Sequence, residues 1–109
     1  MQREVCKAYG TVSPVGEDAL RATDAALRDW GVSSCLSLQG NMLVLSFEGV
    51  FFPLEDFLAA LRPFLESDCT GRIDVFDLEG WRMTRARIGG TEIRLSHAGL
   101  NDVLSWSNH

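Results

Sequence analysis

The sequence predicts an α+β domain in which an antiparallel sheet of about five strands carries helices mainly on one face. Two patterns lead to this prediction. Short segments that alternate apolar with polar residues, or that are rich in β-branched residues, are separated by glycine-containing turns. This pattern is typical of hairpins and meanders and favours antiparallel pairing. Two longer segments repeat apolar residues at helical spacing. The predicted order of elements is α-ββ-α-βββ-α, because packing the helices on one sheet is the simplest way to bury their apolar stripes.

Length and composition limit the class of protein. The 109 residues match one ordinary domain, and no repeat or linker-like tract divides them, so residues 1–109 are predicted to form a single domain. No apolar run is long enough to cross a bilayer, and the N-terminal segment lacks the apolar core of a signal peptide. The three cysteines cannot all pair within the chain, which fits a reducing compartment. We therefore expect a cytoplasmic protein with no membrane partner.

The first helix is predicted over residues 16–30, with Gly31 as the residue that ends it. Its apolar stripe consists of Leu20, Leu27 and Trp30, with Thr23 between them. The segment before this helix is less determined. Residues 2–9 fit either a strand or a short helix, and residues 11–14 are predicted to form a loop.

The clearest hairpin spans residues 35–47, where Gly40 and Asn41 form a two-residue loop with glycine first, the type II′ pattern. This loop sets the register, because it places Leu38 opposite Leu43. The face predicted to pack on the core carries Ser34, Leu36, Leu38, Leu43, Leu45 and Phe47. The other face is mostly polar and includes Cys35.

The second helix is predicted over residues 51–67, where apolar residues recur on one helical face. These residues are Leu54, Phe57, Leu58, Leu61 and Leu65. Pro63 falls late in the pattern, lacks an N–H and clashes with the carbonyl four residues before it. We therefore expect the helix to kink or tighten at Pro63.

Three strands are predicted roughly over residues 72–78, 81–88 and 91–96, followed by a short helix over 98–106 with Ser96 as its N-cap. Two-residue loops at 79–80 and 89–90 would set the register of this meander. The face toward the helices would then carry Ile73, Val75, Thr84, Ala86, Ile88, Ile93 and Leu95. The outer face would carry Asp74, Phe76, Leu78, Trp81, Met83, Arg85, Arg87, Glu92 and Arg94.

This predicted outer face has two parts. In one part Arg85 lies opposite Asp74 and Arg87 lies opposite Glu92, as ion pairs. The other part is an apolar cluster of Phe76, Leu78, Trp81 and Met83. Soluble monomers rarely expose such a cluster without use, and Trp and Arg are enriched in interface hot spots. Four interpretations remain open: cover by another part of the chain, a homodimer, a site for a different macromolecule, or a small-ligand site.

Charge is distributed unevenly along the chain. The net charge is −5, which disfavours nucleic-acid binding because that binding depends on Lys and Arg neutralising phosphates. Residues 71–95 nevertheless contain five arginines against four acidic residues. The last three predicted strands are therefore an arginine-rich region on an acidic body, and no nucleic-acid partner is expected.

The sequence contains no C-x-x-C, H-E-x-x-H, P-loop or G-x-G-x-x-G motif. Its cysteines and histidines are widely separated, whereas structural zinc sites have close ligand pairs, so neither a metal nor a cofactor is predicted. Ser96 and His97 are adjacent on a predicted strand and point to opposite sides, so they do not form a nucleophile–base pair. No catalytic residue is assigned, and an enzymatic role is the less favoured hypothesis.

The predicted function is that of a small, acidic, non-enzymatic binding or accessory protein of bacterial type. It would act through the outer face of its C-terminal meander and would bind a protein partner or a second copy of itself. The predicted interface residues are Phe76, Leu78, Trp81, Met83, Arg85, Arg87 and Arg94. The alternative is a small enzyme or anion-binding domain with an arginine-lined pocket near His97.

Overall fold

A computed structural model describes residues 5–101, which form an α+β fold with an open antiparallel sheet. Its elements are β1 (Cys6–Ser13), α1 (Glu17–Arg28), β2 (Leu36–Gln39), β3 (Met42–Gly49), α2 (Leu54–Leu61), a 3₁₀ turn (Arg62–Phe64), β4 (Thr70–Asp77), β5 (Arg82–Gly89) and β6 (Glu92–Gly99). The strand order in the sheet is β2-β3-β1-β4-β5-β6. The predicted class is confirmed, with six strands within residues 5–101 rather than about five.

The additional strand is β1, which lies inside the sheet between β3 and β4. Residues 11–13, predicted to be a loop, belong to this strand. The strand has few large apolar residues. Its backbone is hydrogen-bonded to neighbouring strands on both sides, and these bonds stabilise it. Gly10 is required at the β1–β4 contact, since a Cβ there would lie 2.1 Å from the carbonyl oxygen of Arg72.

The core lies between the sheet and the two helices. The residues that α1 buries are Ala19, Thr23 and Leu27, and those that α2 buries are Phe57, Leu58 and Leu61. The predicted stripe of α1 is confirmed for Leu27 and for Thr23, and Leu20 is half-buried and packs against the core. Trp30 was wrong, because it is 54% exposed, and the buried Ala19 was not predicted.

The C-terminal end of α1 is where the sequence predicts it, whereas the second helix covers Leu54–Leu61 rather than residues 51–67. Gly31 has a φ of +75°, and Val32 N–H donates to the carbonyl of Leu27 at 3.0 Å, which closes α1 with a Schellman motif. At Pro63 the second helix tightens into the 3₁₀ turn, as predicted. Leu65 is then extended and buried.

The β2–β3 hairpin has the predicted register, with Leu38 opposite Leu43 and Gly40 at a φ of +64°. The expectation that Ser34 faces Phe47 was wrong. Ser34 lies before β2 with a φ of +62°, and Phe47 pairs with Ala8 of β1. Beyond this change of backbone direction Cys35 is buried in the core rather than on the polar face.

The meander has one expected and one shifted register. Val75 lies opposite Thr84, as the loop at 79–80 predicted. At the second turn Gly89 lies opposite Glu92, so the loop consists of Gly90 and Thr91 rather than residues 89–90. Gly90 has a φ of +62°, and a Gly-first loop follows the same rule as the first hairpin. The shift is two residues, so every side chain keeps its predicted face but acquires a different partner.

The last strand continues to Gly99. The predicted helix over 98–106 therefore does not begin at residue 98, and Ser96 is an exposed strand residue rather than an N-cap. Residues 102–106 lie outside the described part of the chain. No helix among residues 5–101 is long and apolar enough to cross a membrane.

Candidate functional site

The outer face of the sheet is the side opposite α1 and α2, and the predicted interface residues lie on it or in the turn beside it. Their exposure differs strongly. Met83 is only 2% exposed, and Phe76 and Leu78 are half-buried, so the apolar cluster is not an open patch. Trp81 is 54% exposed and is the main apolar side chain that this region offers to a partner.

Trp81 lies in the turn between β4 and β5 with a φ of +54°. A left-handed backbone is rare for a bulky residue. Two contacts hold it: its carbonyl accepts from Leu100 N–H at 3.1 Å, and its indole Nε1 donates to Asn101 Oδ1 at 3.4 Å. The exposed indole is therefore held in place by the chain that follows β6.

Arg85 and Asp74 form the ion pair that the alternation predicted. Arg85 Nε donates to Asp74 Oδ1 at 2.8 Å and Arg85 Nη2 donates to Oδ2 at 3.2 Å. The two side chains are only 15% and 13% exposed. Because this bidentate pair is largely enclosed, Arg85 acts as part of the sheet rather than as a free cation.

The second predicted pair, Arg87 with Glu92, was wrong. The register of β6 places Arg87 opposite Arg94, and the register of β4 places it opposite Arg72. We call Arg72, Arg87 and Arg94 the arginine row. Adjacent strands are about 5 Å apart, so the three side chains leave one line across the sheet at that spacing. Like charges directly opposite one another destabilise a sheet.

Acidic neighbours compensate this row only in part. Arg72 Nε lies 3.6 Å from Asp74 Oδ2, and Arg94 Nη2 lies 3.5 Å from Glu92 Oε2. Asp74 is shared with Arg85, to which it is bound at shorter distances. The central Arg87 is exposed, and within residues 5–101 its side chain has neither a hydrogen bond nor an ion pair. The row therefore carries uncompensated positive charge.

Two open depressions of about 410 and 530 Å³ lie along the arginine row. Hydroxyl groups of Thr11, Ser13 and Thr70 contribute to their walls. Gly89 lies between Thr70 and Glu92, and a Cβ at Gly89 would meet no atom within 4 Å. Space and hydrogen-bond donors are thus available beside the guanidinium groups.

Arg72 is the member of the arginine row that was not among the residues predicted for the outer face. The sequence did indicate its face, because Arg72 precedes Asp74 by two residues and therefore lies on the same side of the strand. The predicted loop at 79–80 already implied that Arg72 lies opposite Arg87, and the shifted register of β6 adds Arg94 on the other side of Arg87.

A separate groove of about 390 Å³ lies on the helix side of the sheet, lined by Trp30, Phe51, Phe52, Leu95 and His97 among others. The rings of Trp30 and Phe51 are 5.4 Å apart, and Trp30 Nε1 donates to Asp56. His97 Nδ1 lies 3.0 Å from Thr84 Oγ1. His97 is therefore on the face opposite Arg85 and Arg94, and the structure does not bring these residues into one pocket.

The cysteines are buried in separate parts of the fold. Burial raises the pKa of the Cys6 thiol and of the Cys35 thiol, because it disfavours the charged thiolate. Among residues 5–101 no group of three His, Cys, Asp or Glu side chains is arranged to hold a metal ion.

Comparisons of the chain with models of protein families, with curated proteins and with solved structures find no match. The arginine row is the least favourable part of the sheet surface described, because like charges lie directly opposite one another across its strands.

Proposed function

We propose that this protein is a non-enzymatic binding protein that docks a partner protein on the outer face of β4, β5 and β6. The observation that carries the proposal is the arginine row, in which Arg72, Arg87 and Arg94 lie side by side across three strands. Cross-strand repulsion makes this arrangement unfavourable for folding alone. A negatively charged partner would remove the repulsion and gain charge-assisted hydrogen bonds.

The charge of the whole chain supports a localised mode of binding. The net charge is −5, so a polyanion would be repelled by most of the surface and attracted only at the outer face. An acidic patch on a folded or extended partner protein matches this distribution. Charge complementarity would then orient the partner and accelerate its association.

Trp81 supplies an apolar anchor at the other end of the same region. It lies in the turn before β5, six residues before Arg87, and six residues of extended chain span about 20 Å. An interface that covers both positions is compatible with the ordinary size of about 800 Å² for each partner. Trp and Arg are the residue types that most often dominate binding energy at such interfaces.

The proposal also includes a cytoplasmic location. Cys6, Cys35 and Cys69 are free and buried, and free cysteines are typical of proteins in a reducing compartment.

The experiment that tests the proposal is affinity capture from the source cells with the wild-type protein and three variants, followed by measurement of each affinity with the purified partner. We expect Arg87→Glu and Trp81→Ala each to weaken binding at least about ten-fold, as for hot-spot residues. Arg62→Glu is the matched control, because Arg62 is exposed on the 3₁₀ turn, away from the outer face. All variants are first compared with the wild type by circular dichroism and urea unfolding.

A partner whose affinity is the same for the wild type and for Arg87→Glu would overturn the proposal. Light scattering at two protein concentrations tests the remaining possibility of self-association. A stable dimer that Arg87→Glu dissociates would assign the outer face to contact between two copies of this chain instead of an acidic partner.

A further inference from the structure

We infer that the arginine row binds a phosphomonoester group carried by the partner protein. This inference rests on the proposed function, because it identifies the chemistry that the outer face recognises. It concerns Arg72, Arg87 and Arg94 and the two depressions beside them.

A phosphomonoester can offer one terminal oxygen to each guanidinium group of the arginine row. A phosphomonoester presents three terminal oxygens, each a strong hydrogen-bond acceptor. The arginine row presents three guanidinium groups from adjacent strands, and all three arginines line one open depression. A carboxylate has only two oxygens, so it cannot offer a separate oxygen to each of the three groups.

The charge also matches. Within residues 5–101 the arginine row sets three positive charges against the carboxylate of Glu92, because Asp74 is bound more closely by Arg85. The surplus is two positive charges. A phosphomonoester carries about −1.5 to −2 charges at pH 7, whereas a carboxylate or a phosphodiester carries one.

The surroundings provide further donors and room. Thr11, Ser13 and Thr70 line the adjacent depressions and can donate hydroxyl hydrogen bonds to phosphate oxygens. Gly89 has open space where a side chain would stand. Both depressions are open rather than enclosed, which suits a phosphate attached to a macromolecule better than a small molecule that must be surrounded.

The test uses phenyl phosphate as the probe and benzoate as its carboxylate counterpart, titrated into the full-length protein at pH 7.5 and followed by NMR. We expect saturable binding of phenyl phosphate that moves the side-chain Nε–H signal of Arg87. The Arg87→Gln variant should lose about ten-fold or more in affinity, as expected for one charge-assisted hydrogen bond. Arg62→Gln should bind phenyl phosphate as the wild type does.

Two further variants separate binding from folding. Arg87→Gln removes one of three neighbouring positive charges, so it should raise the urea midpoint slightly while it lowers the affinity. Gly89→Glu places a carboxylate beside the row without a steric conflict and should abolish phosphate binding while the protein stays folded.

Three results would overturn the inference: no saturable binding of phenyl phosphate, equal binding by Arg87→Gln, or benzoate that binds as tightly as phenyl phosphate. A single-stranded oligonucleotide that binds more tightly than phenyl phosphate through the same arginines would replace it with nucleic-acid recognition. Phosphatase treatment of the captured partner distinguishes failure of the docking proposal from failure of the phosphate inference. If the partner still requires Arg87 but binds equally well after treatment, the docking proposal stands and the phosphate inference fails.

Discussion

Asp74 and Arg85 face each other across β4 and β5 and form a bidentate ion pair that is largely enclosed on the outer face of the sheet. Both side chains keep less than a sixth of their surface in contact with solvent. Such pairs are screened weakly and held in one geometry, so they couple more strongly than exposed pairs.

We therefore predict a coupling energy of about 1–3 kcal/mol between Asp74 and Arg85 in a double-mutant cycle of Asp74→Ala and Arg85→Ala. The measurement is urea unfolding of the wild type, both single variants and the double variant. The matched control is the cycle for Glu92 and Arg94, whose side chains are 72% and 82% exposed. Their closest charged atoms, Arg94 Nη2 and Glu92 Oε2, are 3.5 Å apart. That cycle should give less than about 0.5 kcal/mol. Additive effects at Asp74 and Arg85 would contradict the prediction.

Gly10 tests the close approach of β1 and β4. A Cβ there would meet the carbonyl oxygen of Arg72 at 2.1 Å and the Cα of Ile73 at 2.7 Å, and both are backbone atoms that cannot turn aside. We expect Gly10→Ala to lower the free energy of unfolding by about 3 kcal/mol or more, or to prevent folding. Gly89→Ala is the control within the same sheet, because nothing stands within 4 Å of its Cβ, and it should change stability by less than about 1 kcal/mol. Equal stability of the two variants, measured by thermal unfolding, would refute the close contact.

Thr23 is a fully buried polar residue in α1, and its hydroxyl donates to the carbonyl of Ala19 at 2.7 Å. That carbonyl also belongs to the helix, so removal of the hydroxyl leaves no buried group without a partner. We predict that Thr23→Val changes the free energy of unfolding by less than about 1 kcal/mol. Thr23→Ala should cost about 1–2 kcal/mol, because it leaves a cavity in the α1–α2 contact. A larger loss for Thr23→Val than for Thr23→Ala, in urea unfolding, would show that the hydrogen bond matters more than packing.

The buried thiols predict how stability depends on pH. The pKa values of Cys6 and Cys35 are raised in the folded state, because burial disfavours the thiolate. The unfolded chain therefore releases these protons at lower pH than the folded one does. The stabilisation is complete below the thiol pKa of the unfolded chain and is lost as the pH rises through the higher pKa of the folded state.

Urea midpoints between pH 7 and 9.5 measure this effect. The Cys6→Ala/Cys35→Ala double variant provides the comparison, and its stability should change less over the upper part of the range. A wild type and a double variant with parallel pH profiles would mean that the two thiols do not contribute. Slow reaction of both cysteines with a thiol reagent at pH 8 is an independent expectation of the same burial.

Much of the local structure could be predicted because it depends on the backbone preferences of single residues. Gly31 ends α1 at a positive φ, Pro63 tightens the end of α2, and Gly40 sets the register of the first hairpin. Strand alternation also assigned the outer face correctly, including the Asp74–Arg85 pair. Each of these features is decided within a few residues of chain.

The errors share a different cause. Residues 2–9 were left open between a strand and a short helix, and residues 11–13 were predicted as a loop, because the stabilising partners of β1 are strands far along the chain and its own residues show no strong apolar pattern. The exposure of Trp30 and the burial of Met83 depend on which elements pack near them. Local sequence does not contain that information.

The sequence by itself determined which residues can share a face. Side chains alternate with a period of two, so a shift of the register by two residues leaves Arg85, Arg87 and Arg94 on the outer face. Only the tertiary structure decided which of these side chains meet. The turn at Gly90 moved β6 by two residues, and this shift replaced the expected Arg87–Glu92 pair with a row in which Arg87 stands between Arg72 and Arg94. Backbone hydrogen bonds are equally good in both registers, so the choice depends on turn geometry and on packing across the whole sheet.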